Sequence, residues 1–289
     1  MRNDIPYCGI SERVDMRLVT FRGEGGTRAG RLDGDSVTPL DAPDVGALLA
    51  AGPDWRERAA AAAGRPVPLA DLDLAPVVPH PSKIICVGLN YTPHIAETGL
   101  DTPEYPTLFA KFARSLVGPS DPIVLPDASA AMDWEAELAV VVGRTVRGAD
   151  RDEARAAIAG YTVANDVSAR DFQRRTTQWL QGKTFDSTTP LGPALVTGDE
   201  VGDAADLEVT CAVDGEVMQR GRTSTMLFPP EEIVAYASGI VTLDPGDVLL
   251  TGTPAGIGDS RVPPVRLRPG HVVTTEIEGL GVLRNRCSK

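Results

Sequence analysis

The sequence predicts an α+β protein that is mainly β: a small α+β unit followed by one large β-rich domain. Three observations predict it. First, short apolar runs separated by Pro and Gly turns fill the chain beyond residue 80: IICVGL, TLFAKFA, PIVLP, WEAELAVVVG, GYTVANDVSA, PALVTG, LEVTCAVDG, GDVLLTGT and HVVTTEIEG. Strands at this spacing point away from alternating βαβ units. Second, only two segments there carry helix starts, DRDEARAAI with its Asp cap and acidic first turn, and PPEEIVAYASGIV with Pro and two glutamates. Third, Pro76, Pro79 and Pro81 in LADLDLAPVVPHPSK favour an extended linker, which places a boundary near residue 75 and divides the chain into 1–75 and 76–289.

Within the first unit, RLVTF and the runs around Arg31 and Val37, punctuated by GEGG and DGD, read as strands joined by tight turns. A helical segment follows from Asp44, broken near Gly52 and Pro53. A chain of 289 residues is long enough for two domains at about 150 residues each.

Composition narrows the function classes. A net charge of −12 is the wrong sign for wrapping a phosphate backbone, so no nucleic-acid partner is expected. The longest uncharged apolar runs, such as Leu138 to Gly143, fall far short of the roughly 20 residues of a membrane span. Asp4, Glu12 and Asp15 leave no apolar core for a secretory signal. Cys8, Cys86, Cys211 and Cys287 show no Cys-x-x-Cys spacing, and Cys86 and Cys211 lie in apolar runs as small hydrophobes. A soluble cytoplasmic protein without a membrane partner is the expectation.

The most informative segment is Asp133-Trp134-Glu135-Ala136-Glu137-Leu138, which runs into AVVV. On a strand, alternate residues share a face, so Asp133, Glu135 and Glu137 crowd one side. Like charges at that spacing are favourable together only with water or a cation between them. Asp166, at the end of TVAND, adds a third element. Carboxylates without a nearby His or Cys make a hard oxygen site, suited to Mg²⁺ or Mn²⁺. The same alternation also fits a half-exposed amphipathic strand with Glu135 and Glu137 in solvent.

Three histidines exist, at 80, 94 and 271. His94, in GLNYTPHIAETG, has Glu97 three residues later; on a short helix the two share a face, and the carboxylate orients the imidazole for general base work. A surface loop with a chance pair is the plain alternative. The following TGLDTPEYP suits a lid. His80 and His271 are expected to be structural. Lys183, Arg170 and Gln173 are candidates to hold an anionic substrate or an enolate, although single cations usually belong to a solvated surface. LLTGTPAGIG, with Thr251 and Thr253, is Gly-rich but lacks the Lys of a phosphate loop.

Six segments in order, VGLNYTPHIAE, FAKFARSLVGPSDPIVLP, DWEAELAVVVG, GYTVANDVSARDFQ, QGKTFDSTTPLGPALVT and DPGDVLLTGTPAGIG, resemble the fumarylacetoacetate hydrolase family from about residue 80 to the C-terminus. The resemblance implies a mixed β-sandwich roll, a homodimer, and Mg²⁺ or Mn²⁺ held by Glu135, Glu137 and Asp166. It also implies a His94–Glu97 dyad on a lid, Lys183 as the active-site lysine, and Arg170, Gln173 and Thr253 on the substrate side. The first unit looks like the small domain that precedes many bacterial members.

The activity expected from the resemblance is C–C bond hydrolysis of an acylpyruvate-like oxo acid, through an enolate and a His-activated water. Decarboxylation or tautomerisation of an oxo-diacid from aromatic or sugar-acid breakdown is the alternative. A catalytically inactive oxo-acid-binding homologue is the third.

Overall fold

The computed structural model describes residues 15–289. Cys8 and the start of the chain, with Asp4 and Glu12, lie outside those residues.

Alternation with period two sets the layers. The strand Ala136–Val142 is buried along its whole length. Its residues Ala136, Leu138, Val140 and Val142 join Trp134 in one core, and Ala139 and Val141 enter a second. A strand reads this way only when both faces are covered, so the half-exposed strand left open for this segment is not what forms.

The first core is closed by a five-stranded sheet, which contributes Val209, Cys211, Val273 and Leu283, and by Ile233, Val234 and Ala237 of the Pro230–Ile240 helix. Across the other face lie Val45, Leu48, Leu49 and Trp55 from the helices Val45–Ala50 and Trp55–Ala60. The architecture is a mainly β, α+β sandwich of mixed sheets.

The large sheet has twelve strands. Its central path runs Arg17–Gly23, Thr189–Thr197, Ile158–Asn165, Ala136–Val142, Val248–Leu250, Ile84–Gly88, Thr107–Lys111. Neighbours on this path are antiparallel except Val248–Leu250 and Ile84–Gly88, which are parallel. The N-terminal strands are thus hydrogen-bonded into the same sheet, with Arg17 opposite Val196 and Leu18 opposite Leu195.

The proline-rich stretch, expected as an extended linker, is laid against the body instead. Asp73–Leu74 pairs with the Arg17–Gly23 strand, Val77 and Val78 are buried, and the Val77 N–H donates to Leu191 O at 3.2 Å. Proline removes its own donor but leaves neighbouring residues free to pack and pair.

Both expected helix starts form. Arg151–Ala157 opens on a capping box between Asp150 and Glu153. Glu231, in the first turn of Pro230–Ile240, accepts from Arg151 and Arg155 at 2.7 and 2.9 Å and ties the two helices together. Among the described residues, no helix is long and apolar enough to cross a membrane.

Candidate active site

Glu135 and Glu137 flank Ala136 at the start of the central strand, and Asp166 follows its antiparallel partner. Pairing of Ala136 with Asn165 brings them side by side, with the Asp166 N–H donating to Glu135 O at 2.8 Å. One carboxylate oxygen from each of Glu135, Glu137 and Asp166 lies within 4.8 Å of the others, and all three residues are buried. Asp133, expected on the same face, has another task. It accepts from the N–H groups of Trp134, Gly258 and Asp259 and from Arg170 Nε at 2.8 Å.

Buried cations answer this charge. Lys183 Nζ donates to Glu135 Oε2 at 2.6 Å and to Asp166 Oδ2 at 3.0 Å. Arg170 Nη1 is 2.6 Å from Glu135 Oε1. Burial alone would raise the Glu135 carboxyl, but Lys183 and Arg170 outweigh it and hold it down at about 2. Lys183 is shifted up: burial opposes its charge, and Asp166 and Glu135 more than compensate.

Glu137 is the exception. Burial, then the charges of Asp166 and Glu135, push its carboxyl well above the usual range, with only partial relief from Lys183 and the Gly252 N–H at 2.7 Å. A third carboxylate that cannot ionise comfortably, in an all-oxygen donor set, fits a hard divalent cation. Glu135, Glu137 and Asp166 would hold it.

The dyad sits on a short helix, Thr92–Thr98, with Pro93 in its first turn and Gly99 as a left-handed cap at φ 69°. His94 is buried, and its Nδ1 is 2.9 Å from Glu97 Oε2. The other oxygen of Glu97 accepts from the Gly256 N–H at 2.9 Å. Burial works against the Glu97 charge, but the His94 and Gly256 hydrogen bonds prevail and lower its pKa.

The Gly-rich LLTGTPAGIG segment therefore cradles anions, though the protein's own. N–H groups of Gly252, Gly256 and Gly258 serve Glu137, Glu97 and Asp133 respectively.

These groups converge on one cavity of about 500 Å³. His94, Glu97, Glu135, Glu137, Arg170, Gln173, Lys183 and Thr253 all line it, and Asp166 lies behind this wall, fully buried. Arg170 keeps Nη2 buried and without a hydrogen-bond partner. Gln173 Oε1 accepts from Arg170 Nη1 at 2.9 Å. The Thr253 hydroxyl is committed, donating to Ala136 O and accepting from Gln219. His271 lies elsewhere, where its Nδ1 accepts from the Arg268 N–H at 3.3 Å.

Sequence reasoning missed Lys111 and Asp259, whereas Arg174 and Trp179 fall in the stretch 174–180, whose residues it expects to select the substrate tail. Lys111 is buried at 2.5 Å from Asp166 Oδ1. Trp179, Arg174 and Asp259 line the cavity. Lys111 left one trace, as a lysine inside the apolar strand TLFAK. No sequence signal marks Asp259.

A mainly β sandwich with three buried carboxylates grouped as metal ligands are, and a His–Glu dyad on the same cavity, defines the class, and the chain belongs to the fumarylacetoacetate hydrolase family. The model for the family's C-terminal domain matches residues 83–288, and a model described as Rv2993c-like, N-terminal, matches residues 16–76. The chain is 45% identical over 287 residues to human mitochondrial oxaloacetate tautomerase FAHD2A, spanning 94% of this chain and 91% of that protein.

Two solved structures are similar. Fumarylacetoacetate hydrolase from Exiguobacterium antarcticum gives a TM-score of 0.84 at 34% identity, over 94% of this chain and 99% of the other. The 2-hydroxyhepta-2,4-diene-1,7-dioate isomerase from Mycobacterium marinum gives 0.78 at 34% identity, over 94% and 98%.

Proposed function

We propose that the protein is a divalent-cation-assisted enol–keto tautomerase of 2-oxo acids of the oxaloacetate type. One observation carries this: the His94–Glu97 dyad and the Glu135, Glu137, Asp166 cluster line or back the same cavity. The 45% identity to an oxaloacetate tautomerase supports it.

Each residue has a role in this reading. The cation, Mg²⁺ or Mn²⁺, supplies Lewis-acid polarisation of the 2-oxo group when bound. Arg170, whose guanidinium belongs to the cavity wall, binds the substrate carboxylate. Glu97, held ionised, accepts from His94 Nδ1–H and leaves Nε2 as the base. In the keto-to-enol direction Nε2 takes a proton from C3, the C–H electron pair becomes the C2–C3 double bond, the carbonyl π pair moves onto oxygen, and that oxygen takes a proton from solvent, to which the imidazolium releases its own. The reverse direction returns them. Lys183 places positive charge beside the developing enolate.

Hydrolysis of an acylpyruvate is the second reading. It would use Nε2 on water, and the cavity of about 500 Å³ has room for more than four carbons. We propose a homodimer as the assembly, which light scattering on the purified protein tests.

The decisive experiment strips the protein with chelator, restores Mg²⁺ or Mn²⁺, and follows ultraviolet decay of enol-oxaloacetate. Metal-dependent acceleration that falls about 10²–10⁴-fold in His94→Ala supports the tautomerase. Decay at the uncatalysed rate with metal present excludes it. Release of a carboxylic acid from acylpyruvates, without enol-oxaloacetate turnover, would favour the hydrolase.

A further inference from the structure

We infer that Arg174 recognises the second carboxylate of the substrate, so that the cavity selects dicarboxylic over monocarboxylic 2-oxo acids. The inference rests on the oxo-acid reading above and names the substrate class within it.

Four side chains able to carry positive charge line the cavity: His94, Arg170, Lys183 and Arg174. Three are committed at the inner end. His94 faces Glu97, Lys183 is held by Glu135 and Asp166, and Arg170 is held by Asp133 and Glu135 beside the place read above for the carboxylate next to the 2-oxo group. A second carboxylate two carbons further out needs another cation.

Arg174 lines the same cavity and, unlike the buried Arg170, has an exposed side chain. It caps the Arg170–Gln173 helix, directly after Gln173, so the same short element carries the inner and the outer guanidinium. Its neighbour Arg175 is engaged differently, with its guanidinium over the Phe172 ring at 3.3 Å from the centroid.

The partner of Arg174 shows that it can be released. Arg174 Nη2 is paired with Asp259, which also lines the cavity. Asp259 does not depend on it. Its other oxygen accepts from Arg266 Nη2 at 2.5 Å, and its backbone N–H donates to Asp133 Oδ2 at 2.9 Å.

The Asp259 side chain is only 9% exposed and that of Arg266 20%, whereas that of Arg174 is 66% exposed. The inner pair therefore persists when the outer arginine swings away. Arg174 then exchanges one carboxylate for another of the same charge and geometry, and Asp259 keeps a guanidinium. A monocarboxylic acid offers nothing in exchange and leaves the Arg174–Asp259 pair closed.

The test uses the Mg²⁺-loaded full chain and two substrates: oxaloacetate, followed by enol decay, and pyruvate, followed by deuterium exchange at its methyl group. The ratio of kcat/KM for oxaloacetate over pyruvate is expected to fall about tenfold or more in Arg174→Ala, carried mainly by KM for oxaloacetate, and to recover in part in Arg174→Lys. An unchanged ratio in Arg174→Ala overturns the inference while leaving the tautomerase reading in place. Wild-type protein that turns over neither acid overturns both. Because Arg174 is exposed, its melting temperature is expected to stay at the wild-type value, so loss of folding does not confuse the outcome.

Discussion

Lys111 Nζ lies 2.5 Å from Asp166 Oδ1, while Lys183 Nζ lies 3.0 Å from the other oxygen of the same carboxylate. Asp166 is thus gripped from both sides in a space with no measurable solvent exposure. Lys111→Met keeps the length of the side chain and removes its charge. Leaving a buried carboxylate half-paired is expected to cost about 3–5 kcal/mol in unfolding free energy, measured by chemical denaturation. A loss under about 1 kcal/mol, the range of a surface ion pair, contradicts this placement.

Glu137 makes the stability of the metal-free protein depend on pH. Its pKa in the fold is raised above its ordinary value, so the folded form holds its proton more tightly than the unfolded form. That contribution is complete below the ordinary carboxylate pKa and is lost as pH rises toward the folded value. Glu135, lowered to about 2, acts oppositely, contributing above the ordinary pKa and failing only in strong acid. Chelator-stripped protein should therefore lose melting temperature as pH rises above the carboxylate range, and added Mg²⁺ should restore it with proton release. Calorimetry in buffers of different ionisation enthalpy reads the protons directly; cation binding without proton uptake by the buffer would oppose the assignment.

Gly182 lets the short helices Arg170–Gln173 and Leu180–Lys183 touch. A Cβ there would stand 2.5 Å from Gln173 N and 2.6 Å from Ala169 O, both backbone atoms that cannot step aside. Gly182→Ala is expected to displace Lys183 from Glu135, costing about 1–3 kcal/mol and most of the activity. Gly198→Ala, where a Cβ meets nothing within 4 Å, is the control and should behave as wild type.

Glu231 joins two helices through Arg151 and Arg155, and its side chain is 4% exposed. Burial disfavours its charge, but the arginine hydrogen bonds dominate and lower its pKa. The contribution is present above the ordinary carboxylate pKa and lost as pH falls through the folded value. Glu231→Gln should cost about 1–3 kcal/mol at neutral pH and converge on wild type in acid. Equal destabilisation at both pH values would point to packing rather than charge.

Much of this was legible in the sequence. Strands announced themselves through apolar runs between turn residues, and the helices Arg151–Ala157 and Pro230–Ile240 through their first turns, because those signals are local. Glu135, Glu137 and the i, i+3 spacing of His94 and Glu97 were also local. What escaped was long-range pairing. Asp133 has the same spacing from Glu135 as Glu137 does, yet it serves Arg170 and the backbone at Gly258 and Asp259. Lys111 meets Asp166 across 55 positions, and no periodicity records such a contact. The glycines of LLTGTPAGIG were visible as a loop, but which anions their N–H groups would meet depended on where the central strand ended.

The hydrogen bonding of Leu18 opposite Leu195 has a practical corollary. Expressing residues 76–289 alone would strip Arg17–Gly23 from Thr189–Thr197 and leave that strand with raw, unpaired backbone along part of one side. Such an edge is a template for another chain. The Arg17–Gly23 strand therefore covers that edge, and a protein lacking it should form aggregates where the whole chain stays dispersed.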